Sequence, residues 1–408
     1  CCERRAAATI CIAIAETMVS FSCRMDAHHD TTEGGRCQTI LQKPMRAPPR
    51  GDRFMRRGID DTIAGREGAD PKGALYMERE AVRLEGLPAS PVSVLACGAE
   101  MKGGLSLFCE GLLHRSGDHG DLSDPAGLGR FLADARGLCR RAGSDPDIVA
   151  HDLHPACYSR AAAELFPGAR RVAVQHHHAH VAAALAGRAD GGEVIGVAFD
   201  GSGYGTDGTV WGGEFLSVSP GGWGRRGGLG RLRMPGGDAA AREPWRMGIS
   251  LLHAVMGEAA FDAPLPPSRR AAAFRPALSA MLATGAFSPL TSSCGRLFDA
   301  VAAILGIAPE AQAEAEAAVE LERRASLSHD RAAYRIAMRR GRGCFRADYA
   351  DLVRGLIADI GRGLPVEVMA RRFHNGIAEY VARGAVEIRR TRGCRAVALC
   401  GGAFGNRL

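Results

Sequence analysis

Six of the chain's thirteen histidines lie between residues 151 and 180, and four of them fall within QHHHAH at 175–180. If this segment is helical, His176 and His180 are four residues apart and share one face of the helix. Two imidazoles at this spacing can bind one metal ion, whereas the two histidines between them would project elsewhere. The alternative interpretation is a chance histidine tract on a solvated helix, but the flanking sequence argues against it.

A carboxylate follows the histidines at the end of an apolar run. The segment EVIGVAF at 193–199 predicts a strand, and Asp200 comes directly after it. Imidazole and carboxylate ligands together suit zinc or iron. The sequence therefore predicts a divalent metal site formed by His176, His180 and Asp200.

A glycine-rich stretch continues from this aspartate. Gly201, Gly203 and Gly205 recur at every second position, which would let the chain turn tightly and bring backbone N–H groups close to an anion. Asp207 marks a turn, and TVWGGEFLSV at 209–218 predicts the returning strand of a hairpin. Phosphate is the natural ligand for such a turn, although a purely structural hairpin is the alternative.

A second glycine element lies near the end of the sequence. AVALCGGAFGN at 396–406 combines a short apolar strand with Gly401 and Gly402, and Asn406 is expected at the start of a helix. Backbone approach beside a helix N-terminus again predicts an anion or nucleotide site.

These segments resemble the carbamoyltransferase domain of the HypF family of hydrogenase maturation proteins. The resemblance spans about 91 to 408 and extends weakly to RRGIDDTIAGREG at 56–68, which is similar to the tail of a YrdC-like domain. The motifs that carry it are LACGAEMKG at 95–103, SGDHGDL at 116–122, HDLHP at 151–155, QHHHAH, FDGSGYGTDGTVWGGEFL, REPWRMG at 242–248, SSCGRLFDAVAAILG at 292–306, FHNGIAEYV at 373–381 and LCGGAFGN at 399–406.

The resemblance implies an α/β fold of the actin-like ATPase type, with nucleotide and metal in a cleft between two lobes. Strand candidates alternate with helical stretches, as expected for α/β domains. We expect an unassigned leader at 1–53, a remnant of the YrdC-like domain at 54–90, a first lobe at 91–190 and a second lobe at 191–408.

The resemblance also implies a reaction. Carbamoyl phosphate and ATP would supply a carbamoyl-adenylate, and iron or zinc on the two histidines and Asp200 would hold it. The acceptor would be the C-terminal cysteine thiol of a HypE-like partner, whose thiocarboxamide later becomes a cyanide ligand of nickel-iron hydrogenase. The expected contacts to the nucleotide are Asp200, Gly201, Gly203, Gly205, Asp207, Gly401, Gly402 and Asn406.

Two charged residues in SSCGR and the segment after it are candidate catalytic groups. Arg296 suits phosphate and carboxylate oxygens, but it could equally cap a helix. Asp299 lies three residues on and could act in catalysis or pair with an arginine. Cys294 and Cys400 are expected to pack as small apolar side chains rather than act as nucleophiles.

Two departures from the family pattern suggest a fragment. The family carries a further metal-binding aspartate in an Asn-Asp-Gly-Gly element past the glycine pair, and the sequence to Leu408 does not contain it. Only a tail of the adenylate-forming domain is recognisable. We therefore expect three protein ligands instead of four, poor transfer to an acceptor, and no adenylate synthesis by this chain alone.

Composition restricts the class of protein. A net charge of +7 rests on scattered arginines without interleaved aromatic residues, which argues against nucleic-acid binding. Thirteen cysteines without a CxxC pair argue against a zinc ribbon or a secreted disulfide scaffold, so a cytoplasmic protein is expected. The apolar segment at 6–19 is interrupted by Glu16, and we expect neither export nor a membrane partner.

Two alternatives remain open from the sequence. The chain could belong to the related tRNA threonylcarbamoyl-adenosine family or to the antibiotic O-carbamoyltransferases, which carry different residues between the paired histidines. It could also be an inactive fragment that binds nucleotide or metal without turnover.

Overall fold

A computed structural model describes residues 40–41, 82–83, 91–101, 103–185, 192–311, 313 and 315–408. The predicted leader and YrdC-like remnant lie outside the described residues, apart from two short strands. These are β1 (Ile40–Leu41) and β2 (Val82–Arg83).

The first sheet has six strands in the order β2-β5-β4-β3-β6-β7. The pairs β3–β6 and β6–β7 are parallel, and the other pairs are antiparallel. The parallel pairs bring the carboxyl ends of β6 and β7 to one edge of the sheet. The strands are β3 (Val94–Cys97), β4 (Leu105–Cys109), β5 (Leu112–Arg115), β6 (Ile148–Asp152) and β7 (Arg170–Val174).

One long helix covers a face of this sheet. Helix α1 (Pro125–Ala142) begins at Asp124, whose side chain accepts hydrogen bonds from two backbone N–H groups, and ends at Gly143 in the left-handed region. Phe131 and Leu138 on its buried face pack into the core. A 3-10 helix over Tyr158–Leu165 lies between β6 and β7.

The second sheet is larger and mixed. Its main path runs β1-β15-β8-β9-β10-β14-β13, and β12 pairs with both β9 and β11. The hairpin predicted after the histidines is β8 and β9, which are antiparallel. The strands are β8 (Val194–Tyr204), β9 (Val210–Ser219), β10 (Gly222–Gly228), β11 (Leu232–Arg233), β12 (Leu290–Thr291), β13 (Ala337–Arg340), β14 (Phe345–Asp348) and β15 (Ala396–Cys400).

Nine α-helices follow β7 in the part of the chain that the structure describes, and the largest apolar core lies between the second sheet and several of them. The described helices all fall short of the length and apolar character needed to cross a bilayer. They are α2 (His176–Ala184), α3 (Ala239–Arg242), α4 (Pro244–Met256), α5 (Pro266–Ala271), α6 (Arg275–Thr284), α7 (Cys294–Ile304), α8 (Glu316–Ser326), α9 (Ala350–Gly361) and α10 (Val366–Arg392).

Helix α2 joins the two sheets. It begins directly after β7 of the first sheet, yet its buried Val181 packs with Val194, Ala198 and Leu216 of the second. A Cβ atom at Gly196 would lie 2.3 Å from a Val181 methyl group, so glycine is needed for this close approach. The same packing carries the histidines of α2 to the middle of β8.

Candidate metal and nucleotide site

The two histidines project from the first turns of α2. Gln175 precedes the helix, and its Oε1 accepts a hydrogen bond of 2.9 Å from the backbone N–H of His178. The imidazoles of His176 and His180 lie edge to face with their centroids 4.9 Å apart. Both side chains are mostly buried, so the helix holds them in defined positions.

Asp200 completes a cluster of three candidate ligands. Its Oδ2 lies 3.2 Å from His176 Nε2 and 3.1 Å from His180 Nε2. One ligand atom from each residue falls within 4.8 Å of the others. Two imidazole nitrogens and a carboxylate oxygen at one point form a donor set that fits zinc or iron.

The electrostatics of the cluster reflect close pairing. Burial disfavours the charged form of His176, but its bonds to Asp152 and Asp200 outweigh burial and raise its pKa to about 10. Burial would raise the pKa of Asp200, yet its bonds to His176 and His180 hold that pKa well below its usual range. A bound cation would take the place of the proton shared in this cluster.

Asp152 is a site residue that the sequence reasoning did not single out. Its Oδ2 lies 3.2 Å from His176 Nδ1, and its Oδ1 accepts a 2.7 Å hydrogen bond from the backbone N–H of His154. This contact leaves Nε2 of His176 facing Asp200. Asp152 is the last residue of β6, which pairs with β7 in parallel. Its place in the HDLHP motif, at the edge where parallel strands end, is the sequence signal that could have identified it.

The first glycine stretch differs from its prediction. Strand β8 continues to Tyr204, with an irregularity in register between Phe199 and Gly203, so two of the three glycines lie in a strand rather than a turn. A Cβ at Gly203 would lie 2.7 Å from the His177 ring, and one at Gly205 would lie 2.1 Å from Trp211. Of the three glycines, Gly201 is the one whose Cβ position has no atom within 4 Å.

Asp207 lies in the turn between β8 and β9, as the sequence predicted, but its oxygens already have partners. Oδ1 accepts hydrogen bonds from Thr209 and from Trp211 Nε1. Oδ2 pairs with Arg225 at 3.1 Å and Arg231 at 2.6 Å. Through these contacts Asp207 stabilises the hairpin.

The second glycine element helps to hold the Asp200 carboxylate in position. Gly401 has φ +94, and a Cβ there would lie 2.3 Å from the carbonyl oxygen of Phe199. The N–H of Gly402 donates a 3.2 Å hydrogen bond to Asp200 Oδ1, which also accepts one of 2.8 Å from Gly201 N–H. This pair of glycines lets β15 approach β8 closely and hold the carboxylate.

Asn406 follows a 3-10 helix over Gly402–Gly405, where the short glycine-rich segment folds into one tight turn. Only Arg407 and Leu408 come after it, so the predicted helix start stays a prediction. The Asn406 amide lies 3.0 Å from His374 Nε2 on α10. His374 is buried, and its Nδ1 donates to the Ala370 carbonyl at 2.8 Å.

Arg296 and Asp299 lie in the first turns of α7 and pair with each other at 2.9 Å. Burial raises the pKa of Asp299 to about 6, against the opposing effect of Arg296. The cap of α7 is not Arg296 but Ser293, whose Oγ accepts from Arg296 N–H and donates to the Gly201 carbonyl. That last bond places the N-terminus of α7 beside the open glycine of β8.

The predicted packing cysteines are both buried, and burial raises the pKa of each thiol well above its usual range. Cys294 starts α7 and Cys400 ends β15. A thiol that stays protonated is a poor nucleophile, which agrees with a packing role.

Comparisons with known proteins agree on one family. The family described as "HypF Kae1-like domain" matches residues 89–187, and "Carbamoyltransferase, Kae1-like Domain, second subdomain" matches 196–408. A carbamoyltransferase HypF homolog of Cupriavidus necator is 40% identical over 344 residues, which are 80% of this chain and 84% of that protein. The chain belongs to the HypF carbamoyltransferase family.

Other HypF proteins extend the comparison. Carbamoyltransferase HypF of Rhizobium leguminosarum is 38% identical over 327 residues, covering 79% of this chain and 41% of that protein. A crystal structure of full-length HypF in the phosphate- and nucleotide-bound form has TM-score 0.74 and 27% identity, covering 80% of this chain and 50% of that one. The chain thus spans about half or less of these two longer HypF proteins.

Proposed function

We propose that this chain transfers a carbamoyl group from carbamoyl-adenylate to the C-terminal cysteine thiol of a HypE-like acceptor. The observation that carries the proposal is the convergence of His176, His180 and Asp200 on one point. Membership of the HypF carbamoyltransferase family supports it. Carbamoyl phosphate and ATP would be the source of the adenylate, and the cytoplasm the place of reaction.

The three convergent residues would hold a zinc or iron ion. When bound, such an ion supplies positive charge that orients and polarises the carbamoyl group. The chain's own residues keep the ligands in place: Asp152 fixes the ring of His176, and the N–H groups of Gly201 and Gly402 fix Asp200. Ligands fixed in this way lose little entropy when they bind the ion.

The nucleotide would lie between β8 and α7, in the cleft of an actin-like pair of lobes. Gly201 leaves open space, and the N-terminus of α7 adjoins it through Ser293. A helix N-terminus favours phosphate, and Arg296 in its first turn adds a guanidinium. Asp299 would hold Arg296 in position through their ion pair.

The proposed transfer forms one bond to the carbamoyl carbon and breaks another. The acceptor thiol loses its proton to solvent or a base, and the thiolate attacks the carbamoyl carbon. A C–S bond forms, the bond between that carbon and the phosphate oxygen breaks, and AMP leaves with the electron pair. Neither Cys294 nor Cys400 takes part, since both thiols are buried and protonated.

Mass spectrometry of acceptor peptides tests the proposal. We would incubate metal-loaded protein with carbamoyl-adenylate and a peptide ending in cysteine, and compare the wild type with H176A/H180A. Even slow transfer by the wild type, above the rate of the double variant, supports the proposal. Equal rates would contradict it, and a mass gain on a serine-terminated peptide instead would favour an O-carbamoyltransferase.

A further inference from the structure

The side chain of Gln175 connects the helix that carries the candidate histidine ligands to the strand that carries Asp200. Helix α2 follows β7 of the first sheet directly, whereas Asp200 lies on β8 of the second sheet. Nε2 of Gln175 donates a 3.2 Å hydrogen bond to the backbone carbonyl of Tyr204, the last residue of β8. This bond therefore joins the start of the helix to the end of the strand.

The Gln175 amide has a partner for its oxygen and for both of its N–H bonds. Its Oε1 accepts a 2.9 Å hydrogen bond from the backbone N–H of His178, and this fixes which way the amide is turned. One N–H donates to Tyr204, and the other donates to Nδ1 of His177 at 3.1 Å. The residue is only 4% exposed, so water competes little for these bonds. An amide held in this way has one defined position.

A second contact fixes α2 on β8 beyond the two histidines. Val181 packs on Gly196, where a Cβ atom would lie 2.3 Å from a Val181 methyl group. Both candidate histidines lie between Gln175 and Val181 along the helix, and Asp200 lies between Gly196 and Tyr204 along the strand. The candidate ligands are thus flanked by one polar and one apolar contact between the same two elements.

The two contacts restrain the helix differently. Apolar packing is not directional, so Val181 limits how closely the helix approaches the strand without fixing its rotation. Hydrogen bonds are directional, and those of Gln175 fix the first turn of the helix. His176 follows Gln175 directly, whereas His180 adjoins Val181. The position of the His176 backbone should therefore depend most on the Gln175 amide, while Asp152 orients only its ring.

We propose that Gln175 is a positioning residue for the metal site. It holds the start of α2 at the distance from β8 at which both histidines and Asp200 can reach one ion. This role goes beyond capping the helix, because a cap needs only Oε1, whereas positioning needs the two N–H bonds as well. The inference rests on the metal site of the proposed function and does not depend on carbamoyl transfer.

Cobalt(II) is the probe, because its visible absorption depends on the number and geometry of its ligands. Q175N separates the two roles of the side chain. Asparagine is a preferred N-cap residue, but it is one methylene shorter and cannot bond His178 and Tyr204 at once. We expect Q175N to bind cobalt(II) about tenfold or more weakly than the wild type, with a changed spectrum.

Two further variants complete the comparison. Q175M has a side chain of similar length without an amide, and it should change the affinity and the spectrum in the same direction. D124A is the control for loss of a helix cap, because Asp124 caps α1 through two backbone N–H groups on the first sheet. Its thermal midpoint should fall, while its cobalt(II) affinity and spectrum should stay those of the wild type.

Thermal midpoints show which variants are folded, and Q175M carries the test if Q175N does not fold. Wild-type affinity and spectrum in a folded Gln175 variant would overturn the proposal, as would an equal change in D124A. H176A/H180A distinguishes this outcome from failure of the metal site. If the wild type bound cobalt(II) no better than that double variant, the site itself would fail, and the role of Gln175 with it.

Discussion

The two glycine elements make an instructive pair, because sequence patterns predicted the same anion-binding role for both. At the end of β8 and just after it, the space beside Gly203 and Gly205 is filled by the rings of His177 and Trp211. At the end of β15, Gly401 and Gly402 lie against Phe199 and Asp200. One element accommodates the helix that carries the histidines, and the other supports the carboxylate. Both bring protein groups together around His176, His180 and Asp200, and of these five glycines Gly201 is the one with no atom within 4 Å of its Cβ position.

The largest effect is expected at Gly401. Its φ of +94 suits only glycine, and a side chain would collide with the Phe199 carbonyl at 2.3 Å. We expect G401V to lose about 2–4 kcal/mol of stability and most of its metal affinity. Urea unfolding and metal titration measure both. A G401V protein with normal stability and metal affinity would show that β15 does not support Asp200.

A smaller but specific effect is expected at Gly203. A valine there would press on the rings of His177 and His176, at 2.7 and 3.0 Å from the Cβ position. We expect G203V to bind zinc at least about tenfold more weakly, because the position of His176 changes. G201A is the matched control, since its Cβ would meet nothing within 4 Å. Equal losses in both variants would contradict the distinction between packed and open glycines.

Asp152 provides a test of the ligand orientation. D152N keeps the size of the side chain but weakens its bond to His176 Nδ1, so zinc affinity should fall about 10-fold to 100-fold. D134N is the control. Asp134 makes the same kind of carboxylate–imidazole bond, 2.9 Å to His119 Nε2, away from His176, His180 and Asp200. Zinc titration by calorimetry compares them. Unchanged affinity in D152N would remove Asp152 from the site.

The smallest effect is expected at His374. H374A loses the contact with Asn406 that holds the turn after Gly402, and we expect a loss of about 1 kcal/mol of stability. Zinc affinity should change less than in D152N, because the Gly402 N–H still reaches Asp200. If H374A reduced zinc affinity more than D152N does, the turn would matter more for the site than the orientation of His176.

Some of this arrangement was predictable from local patterns. The helix after residue 175, the strand before Asp200 and the returning strand of the hairpin follow from periodicity and glycine placement. Those patterns were enough to bring His176, His180 and Asp200 together in a prediction, since helix spacing and the strand end define where each side chain points.

Other features depend on contacts between distant segments. Asp152 reaches His176 only because β6 and β7 are parallel neighbours, which one sequence does not state. The tight turn predicted at Gly201 and Gly203 is a strand, and the rings that lie beside Gly203 and Gly205 cannot be read from their spacing in the sequence. The contact between Asn406 and His374 was not predictable either, because the two residues are 32 positions apart along the chain.

Metal analysis after chelator challenge tests the central claim most directly. The wild type and H114A should each retain about one zinc or iron ion per chain, and H176A/H180A should retain almost none. His114 lies on β5 of the first sheet and serves as the remote control. If the double variant kept the wild-type metal content, His176, His180 and Asp200 would not form the metal site.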